Sequence, residues 1–231
     1  MSIETNNIYI PGLEKPVPGR PELYPGSRDR CVRGYTDEEV GQLPDLPKIH
    51  PQHRYWRLRK ASGDRLVRYL AFKKKALSIL EVGCGNGWLS FQLSSIPGHR
   101  VLGLDRDLHV LQQAARVFRH QPNLKFMYGD FYSEIVQGLT FDIIVFSASI
   151  QYFPSLEEVL TESLLRLKEE GEIHIVDTSP GGEDLYFFKH RLLFNPRSLP
   201  NKLLGRGKQL PWIRVIAHGM RKQLPVVFHD Q

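Results

Sequence analysis

The run Leu80-Glu81-Val82-Gly83-Cys84-Gly85-Asn86-Gly87-Trp88 joins a short apolar stretch to the helical pattern of Leu89, Phe91 and Leu93. Glycines at alternate positions permit a tight strand-to-helix bend with unusual backbone angles, and they leave no side chain between main chain and ligand. Main-chain amides in such a bend are expected to grip a guest. Glu81 indicates the sign of that guest, because a carboxylate at the strand's end repels a pyrophosphate and attracts a cation. The dinucleotide fingerprint G-x-G-x-x-G also needs a third glycine at position 88, where this chain has Trp88. Both departures disfavour a nicotinamide-dependent oxidoreductase.

Other reactive side chains give weaker signals. Cys84 is small and sits between two glycines, which suits a filler better than a nucleophile. Cys31 and Cys84 stand far apart and match no metal-ligand spacing, so neither a zinc site nor a disulfide framework is expected. Trp88 is expected to pack under the turn. His174 reads as a satisfied core residue, and His50 and His53 as solvent-exposed positions ahead of a helix. Tyr152, in Ser147-Ala148-Ser149-Ile150-Gln151-Tyr152-Phe153, is the best candidate for a catalytic group facing a cleft.

These residues must be held by a scaffold. Between Leu77 and Asp177, apolar runs alternate with helical patterns, the signature of a parallel sheet covered by helices. The runs are Leu77–Val82, Arg100–Leu104, Leu124–Tyr128, Asp142–Phe146 and Glu172–Val176. Asp107 is placed to cap a helix carrying Leu108, Leu111, Ala115 and Phe118. Ser155 and Glu158 form a capping-box pattern ahead of Leu156, Val159, Leu160, Leu164 and Leu167, with Gly171 as the stop. The expectation is a doubly wound, mostly parallel α/β sheet in three layers, α-β-α, binding its ligand at the strands' carboxyl ends.

Three segments follow. Residues 1–53 are rich in proline and read as an arm or lid with little regular structure, in which Tyr9, Tyr24 and Tyr35 would suit a pocket cover. Residues 54–177 hold the core with a leading helix from about Arg54 to Lys75, interrupted near Gly63. Residues 178–231 form a basic segment with a helix near 183–194 and a further strand over Trp212–Ala217, which would extend the sheet. The 231 residues carry a net charge of +6, divided as +6 over 1–75, −6 over 76–177 and +6 over 178–231. Such basic flanks neutralise an acidic centre or collect an anion. No stretch reaches the roughly 20 apolar residues of a membrane span, and Met1–Ile10 lacks a secretion signal, so a cytoplasmic location is expected.

Glu81-Val82-Gly83-Cys84-Gly85-Asn86-Gly87 matches every defined place of E/D-x-G-x-G-x-G, and the chain here resembles the class I S-adenosylmethionine-dependent methyltransferases. Three further stations follow in the family's order: Gly103-Leu104-Asp105, Tyr128-Gly129-Asp130-Phe131, and Phe141 to Ser147. The resemblance implies a Rossmann-like methyltransferase fold and S-adenosyl-L-methionine as cofactor, with Glu81, Gly83, Cys84, Gly85, Asn86 and Gly87 at the turn. It further implies ribose contacts at Asp105 beside Arg106, adenine contacts at Asp130 and Phe131, and a methionine contact at Ser147.

The acceptor is less legible. Enzymes that methylate base amines show an Asn/Asp-Pro-Pro-aromatic run after the fourth strand, and this chain has Ser147-Ala148-Ser149-Ile150. Tyr55-Trp56-Arg57-Leu58-Arg59-Lys60 could form a basic stacking edge, yet a charged helix face explains it as well. A small molecule is favoured over nucleic acid. The rival readings are a non-catalytic binding partner or sensor and the oxidoreductase disfavoured above.

Overall fold

The computed structural model describes residues 3–5, 7–10, 34–176 and 212–216. Two short strands, β1 (Ile3–Thr5) and β2 (Ile8–Ile10), precede helices α1 (Asp37–Gln42) and α2 (His53–Phe72). The alternating core then runs β3 (Ser78–Val82), α3 (Trp88–Ser94), β4 (Arg100–Asp105), α4 (Leu108–Val117), β5 (Leu124–Tyr128), α5 (Glu134–Gln137), β6 (Phe141–Ser147), α6 (Leu156–Leu165) and β7 (Leu167–Val176). Strand β8 (Trp212–Ile216) follows.

All eight strands join one sheet in the order β1-β2-β5-β4-β3-β6-β7-β8. Only the β1–β2 pair is antiparallel; the others run parallel. The core strands are apolar on both faces because helices cover both. Ile79, Val101, Phe126, Ile143 and Val145 pack with Leu66, Trp88, Leu93 and Leu111 of α2, α3 and α4. Their neighbours Leu80, Leu104, Met127, Ile144 and Phe146 pack with Val136, Val159 and Leu160 of α5 and α6. The period-two alternation thus divides each strand between two cores, giving the doubly wound three-layer fold. Strand order reverses between β3 and β6, which opens a crevice at their carboxyl ends.

Several elements differ from the sequence expectation. Helix α2 is continuous through Gly63, where a Cβ would lie 2.7 Å from Trp88 Cη2, so the glycine serves close packing instead of a break. The N-terminal region has regular structure: β2 extends the sheet beside β5, and Thr36 closes a capping box on α1. Helix α6 is capped as expected, with Ser155 Oγ accepting from Glu158 N at 3.2 Å. It ends at Leu165, however, and Leu167 and Gly171 belong to β7. The cause is a bulge: Phe141 pairs with Leu167 and Ile143 with Glu172, so the intervening residues loop out, with Glu170 at φ 62°. Tyr9 is placed in β2, and Tyr35 is buried beneath α2, its hydroxyl accepting from Trp56 Nε1 at 2.7 Å. The expected helix near 183–194 and Tyr24 lie outside the described residues.

Candidate functional site

The glycine bend lies at the point where strand order reverses. Gly83, Gly85 and Gly87 have φ of 72°, 54° and 75°, the left-handed region that glycine enters without a steric penalty. Their roles divide. Gly83 faces the loop after β6, since a Cβ there would stand 2.6 Å from Ser149 Cβ. Gly87 allows α3 to approach the sheet, because a Cβ would meet Phe126 at 2.8 Å and Ala114 Cβ at 3.1 Å. That close-packing task falls to the third glycine of a dinucleotide fingerprint, which explains how Trp88 can occupy position 88. Trp88 itself is buried edge-to-face against Trp56.

Four amides of the bend are engaged within the protein. Gly83 N and Cys84 N both donate to Leu104 O, at 2.8 and 3.1 Å, and Gly87 N donates to Cys84 O at 3.0 Å. Gly85 N donates to Asp105 Oδ2 at 2.7 Å. The amides of Gly83, Cys84 and Gly85 thus tie the bend to β4 and that of Gly87 closes the turn on itself, while Gly83 and Gly85 stay half-buried. Cys84 is buried, and burial, with Asp105 and Glu81 nearby, pushes its thiol well above the ordinary value. It fills space against Gly103, where a Cβ would lie 2.9 Å from Sγ. Asn86 is buried too, with Oδ1 accepting from Trp88 N at 3.4 Å.

Three carboxylates surround the bend in different ways. Glu81 is 1% exposed and accepts from Ser90 Oγ at 2.5 Å. Burial raises it to about 7, opposed by the Ser90 hydrogen bond and the Arg59 charge and reinforced by Asp105. Asp105 stands half-buried at the end of β4. Its oxygens accept from Gly85 N and, at 2.9 Å, from Asp107 N; burial raises its pKa while these amides oppose the rise. Asp130 Oδ1 accepts from Tyr132 N at 2.8 Å, and Oδ2 pairs with Arg106 Nη1 at 3.5 Å. Arg106 and Asp130 therefore bridge the ends of β4 and β5.

Phe131 directly follows Asp130. Its ring is buried in the core between the sheet and α6, against Phe146 and Phe153, with Arg166 Cζ 4.6 Å from its centroid. Ser147, at the end of β6, is buried, and its Oγ accepts from Arg59 Nη2 at 2.9 Å. Tyr152 ends the short 3₁₀ turn Ile150–Tyr152 just beyond β6, half-buried at the same sheet edge.

Arg59 was missed as a site residue. Its guanidinium lies 5.2 Å from the Trp56 ring, 5.4 Å from Trp88 and 5.7 Å from Tyr55, and it reaches across from α2 to Ser147. The signal was its spacing: Arg59 stands three residues after Trp56 and four after Tyr55, on the inner side of the helix, unlike Arg57. The histidines are engaged elsewhere. His50 Nε2 lies 3.4 Å from Glu39, His53 Nδ1 bonds Leu46 O at 2.8 Å, and neither is fully exposed, contrary to expectation. His174 is fully buried and bonds Glu172 Oε2 at 3.1 Å, as a core histidine should.

The family comparison covers this arrangement. A model described as a methyltransferase domain matches residues 73–201, more than half of the chain. The malonyl-[acyl-carrier protein] O-methyltransferase of Halalkalibacterium halodurans is 27% identical over 142 residues, covering 58% of this chain and 51% of that protein. The demethylmenaquinone methyltransferase of Lactococcus lactis is 26% identical over 171 residues, covering 71% and 64%. The malonyl-[acyl-carrier protein] O-methyltransferase of Erwinia billingiae is 30% identical over 132 residues, covering 56% and 45%. The chain thus spans about half to two thirds of the length of these relatives. With more than half of its residues matched, and with the glycine bend of that match at the switch point of its sheet, the chain belongs to the methyltransferase domain family.

Proposed function

We propose that the protein binds S-adenosyl-L-methionine at the bend between β3 and α3 and transfers its methyl group to a small-molecule acceptor. The observation that carries this reading is the left-handed glycine bend Gly83–Gly87 at the switch point, flanked by Asp105 on one side and Ser147 on the other. The donor set fits such a ligand. Asp105 retains lone pairs for ribose hydroxyls, the Arg106–Asp130 pair borders the adenine side, and Glu81 places a buried acid beneath a sulfonium. When bound, the cofactor supplies an activated methyl on a positive sulfur, so the chain's task is alignment and exclusion of water.

Arg59 and Ser147 fix the wall at the end of β6, and Tyr152 is the group we assign to the acceptor, as a hydrogen-bond partner for its nucleophilic atom. Relatives named for a malonyl group on an acyl-carrier protein and for demethylmenaquinone support a small acyl or quinone-like acceptor over nucleic acid. A cytoplasmic location goes with this reading and suits the buried free thiol of Cys84.

Calorimetry with S-adenosylhomocysteine tests the site. Asp105→Ala should weaken binding at least tenfold, about 1.4 kcal/mol; unchanged affinity would refute the ribose assignment. Labelled methyl transfer to malonyl or quinol acceptors separates the enzyme from a non-catalytic sensor, which would bind without turnover.

A further inference from the structure

Helix α2 contributes Trp56, Arg59 and Leu66 to the interior, and its opposite side follows a different rule. Arg54, Arg57, Leu58, Arg65, Arg68 and Phe72 fall within one arc of about 100° along a helix about 30 Å long. Phe72 is 83% exposed and Leu58 is 52% exposed, although both are large apolar side chains. Ile49, just ahead of the helix, is 94% exposed. No acidic residue lies within the arc. Asp64 stands at its border and is 3.9 Å from Lys60, which also pairs with Asp45 at 3.0 Å.

We propose that this outer face of α2 docks on an anionic lipid surface. The face interleaves arginines with isolated apolar side chains along the helix, the pattern of a helix lying in a membrane interface. Lipid phosphates complement the arginines, and the hydrocarbon just below takes Leu58 and Phe72. A polyanion alone would leave those two in water. The inner side of the same helix carries Arg59 to Ser147 at the end of β6, so docking on the outer face leaves that contact in place. The proposal does not depend on methyl transfer.

Co-sedimentation of the full chain with vesicles tests it. Binding is expected to vesicles containing phosphatidylglycerol and to be absent with phosphatidylcholine alone, weakening as salt rises. Each interfacial arginine is worth about fivefold, so Arg54→Gln with Arg57→Gln should weaken partitioning about 25-fold. Leu58→Ser with Phe72→Ser should weaken it as well, with circular dichroism confirming that each variant is folded. Failure of the wild type to bind phosphatidylglycerol vesicles would overturn the proposal, as would undiminished binding by the arginine variant. Tighter binding to duplex DNA, with the Leu58/Phe72 variant unaffected, would assign the face to nucleic acid and also overturn it.

Discussion

The contact between Gly83 and Ser149 ties the glycine bend to the loop after β6, and its energy follows from the geometry. Gly83 has φ +72°, which costs a residue with a side chain about 1–2 kcal/mol. A Cβ there would stand 2.6 Å from Ser149 Cβ and 3.2 Å from Ser149 Oγ, and overpacking of this kind adds about 1–3 kcal/mol. Gly83→Ala should therefore destabilise the protein by about 2–5 kcal/mol, a shift of roughly 1–2.5 M in the urea midpoint at a slope near 2 kcal/mol per M. Ser149→Gly removes the obstructing atom, together with the 2.5 Å hydrogen bond from Ser149 Oγ to Val82 O, worth about 1 kcal/mol. In that background Gly83→Ala should cost only the backbone share. The double-mutant cycle is thus expected to show a coupling of about 1–3 kcal/mol, whereas Ser149→Ala, which keeps Cβ, should give little relief. Equal costs of Gly83→Ala in both backgrounds would refute the close approach.

Further outcomes follow from charge. Because burial raises Glu81 to about 7 from an ordinary 4.5, its contribution is full below pH 4.5 and is lost as pH rises through 7, by up to about 3 kcal/mol; Glu81→Gln should remove that slope from pH-dependent unfolding. His99 behaves in the opposite sense. Burial lowers it below 6.5, so stability present above that pH is lost as pH falls through the folded value, and His99→Leu should abolish that acid limb. Arg59→Ala removes the donor to Ser147 and the cation over three rings, and should lower stability by about 1–3 kcal/mol in urea unfolding. Arg59→Lys should recover less than half of this, since an ammonium cannot reproduce a stacked planar fork.

Much of this architecture was legible because buried parallel strands announce themselves as continuous apolar runs. Leu124–Tyr128 was read to the residue, and Asp107 and Ser155 capped the helices they precede. The same periodicity misled at Leu167, which lies three residues beyond Leu164 and so continues a helical stripe after the chain has already turned at Arg166. Strands β1 and β2 hold three residues each, too few for alternation to register against a proline-rich background. At the site, the glycines were visible as types, but the use of their amides depends on Leu104 O and Asp105, contacts made only when β4 lies beside β3. Phe131 carried a motif position in sequence, yet the rings of Phe146 and Phe153 and the Arg166 side chain draw it into the core.

The most direct test is a crystal grown with S-adenosylhomocysteine. The nucleotide is predicted to lie across the Cα surface of Gly83 and Gly85 at the carboxyl ends of β3 and β4, with its ribose hydroxyls on Asp105 and its amino-acid end toward Ser147. Density for the nucleotide elsewhere on the chain, or no density against the bend, would contradict the account.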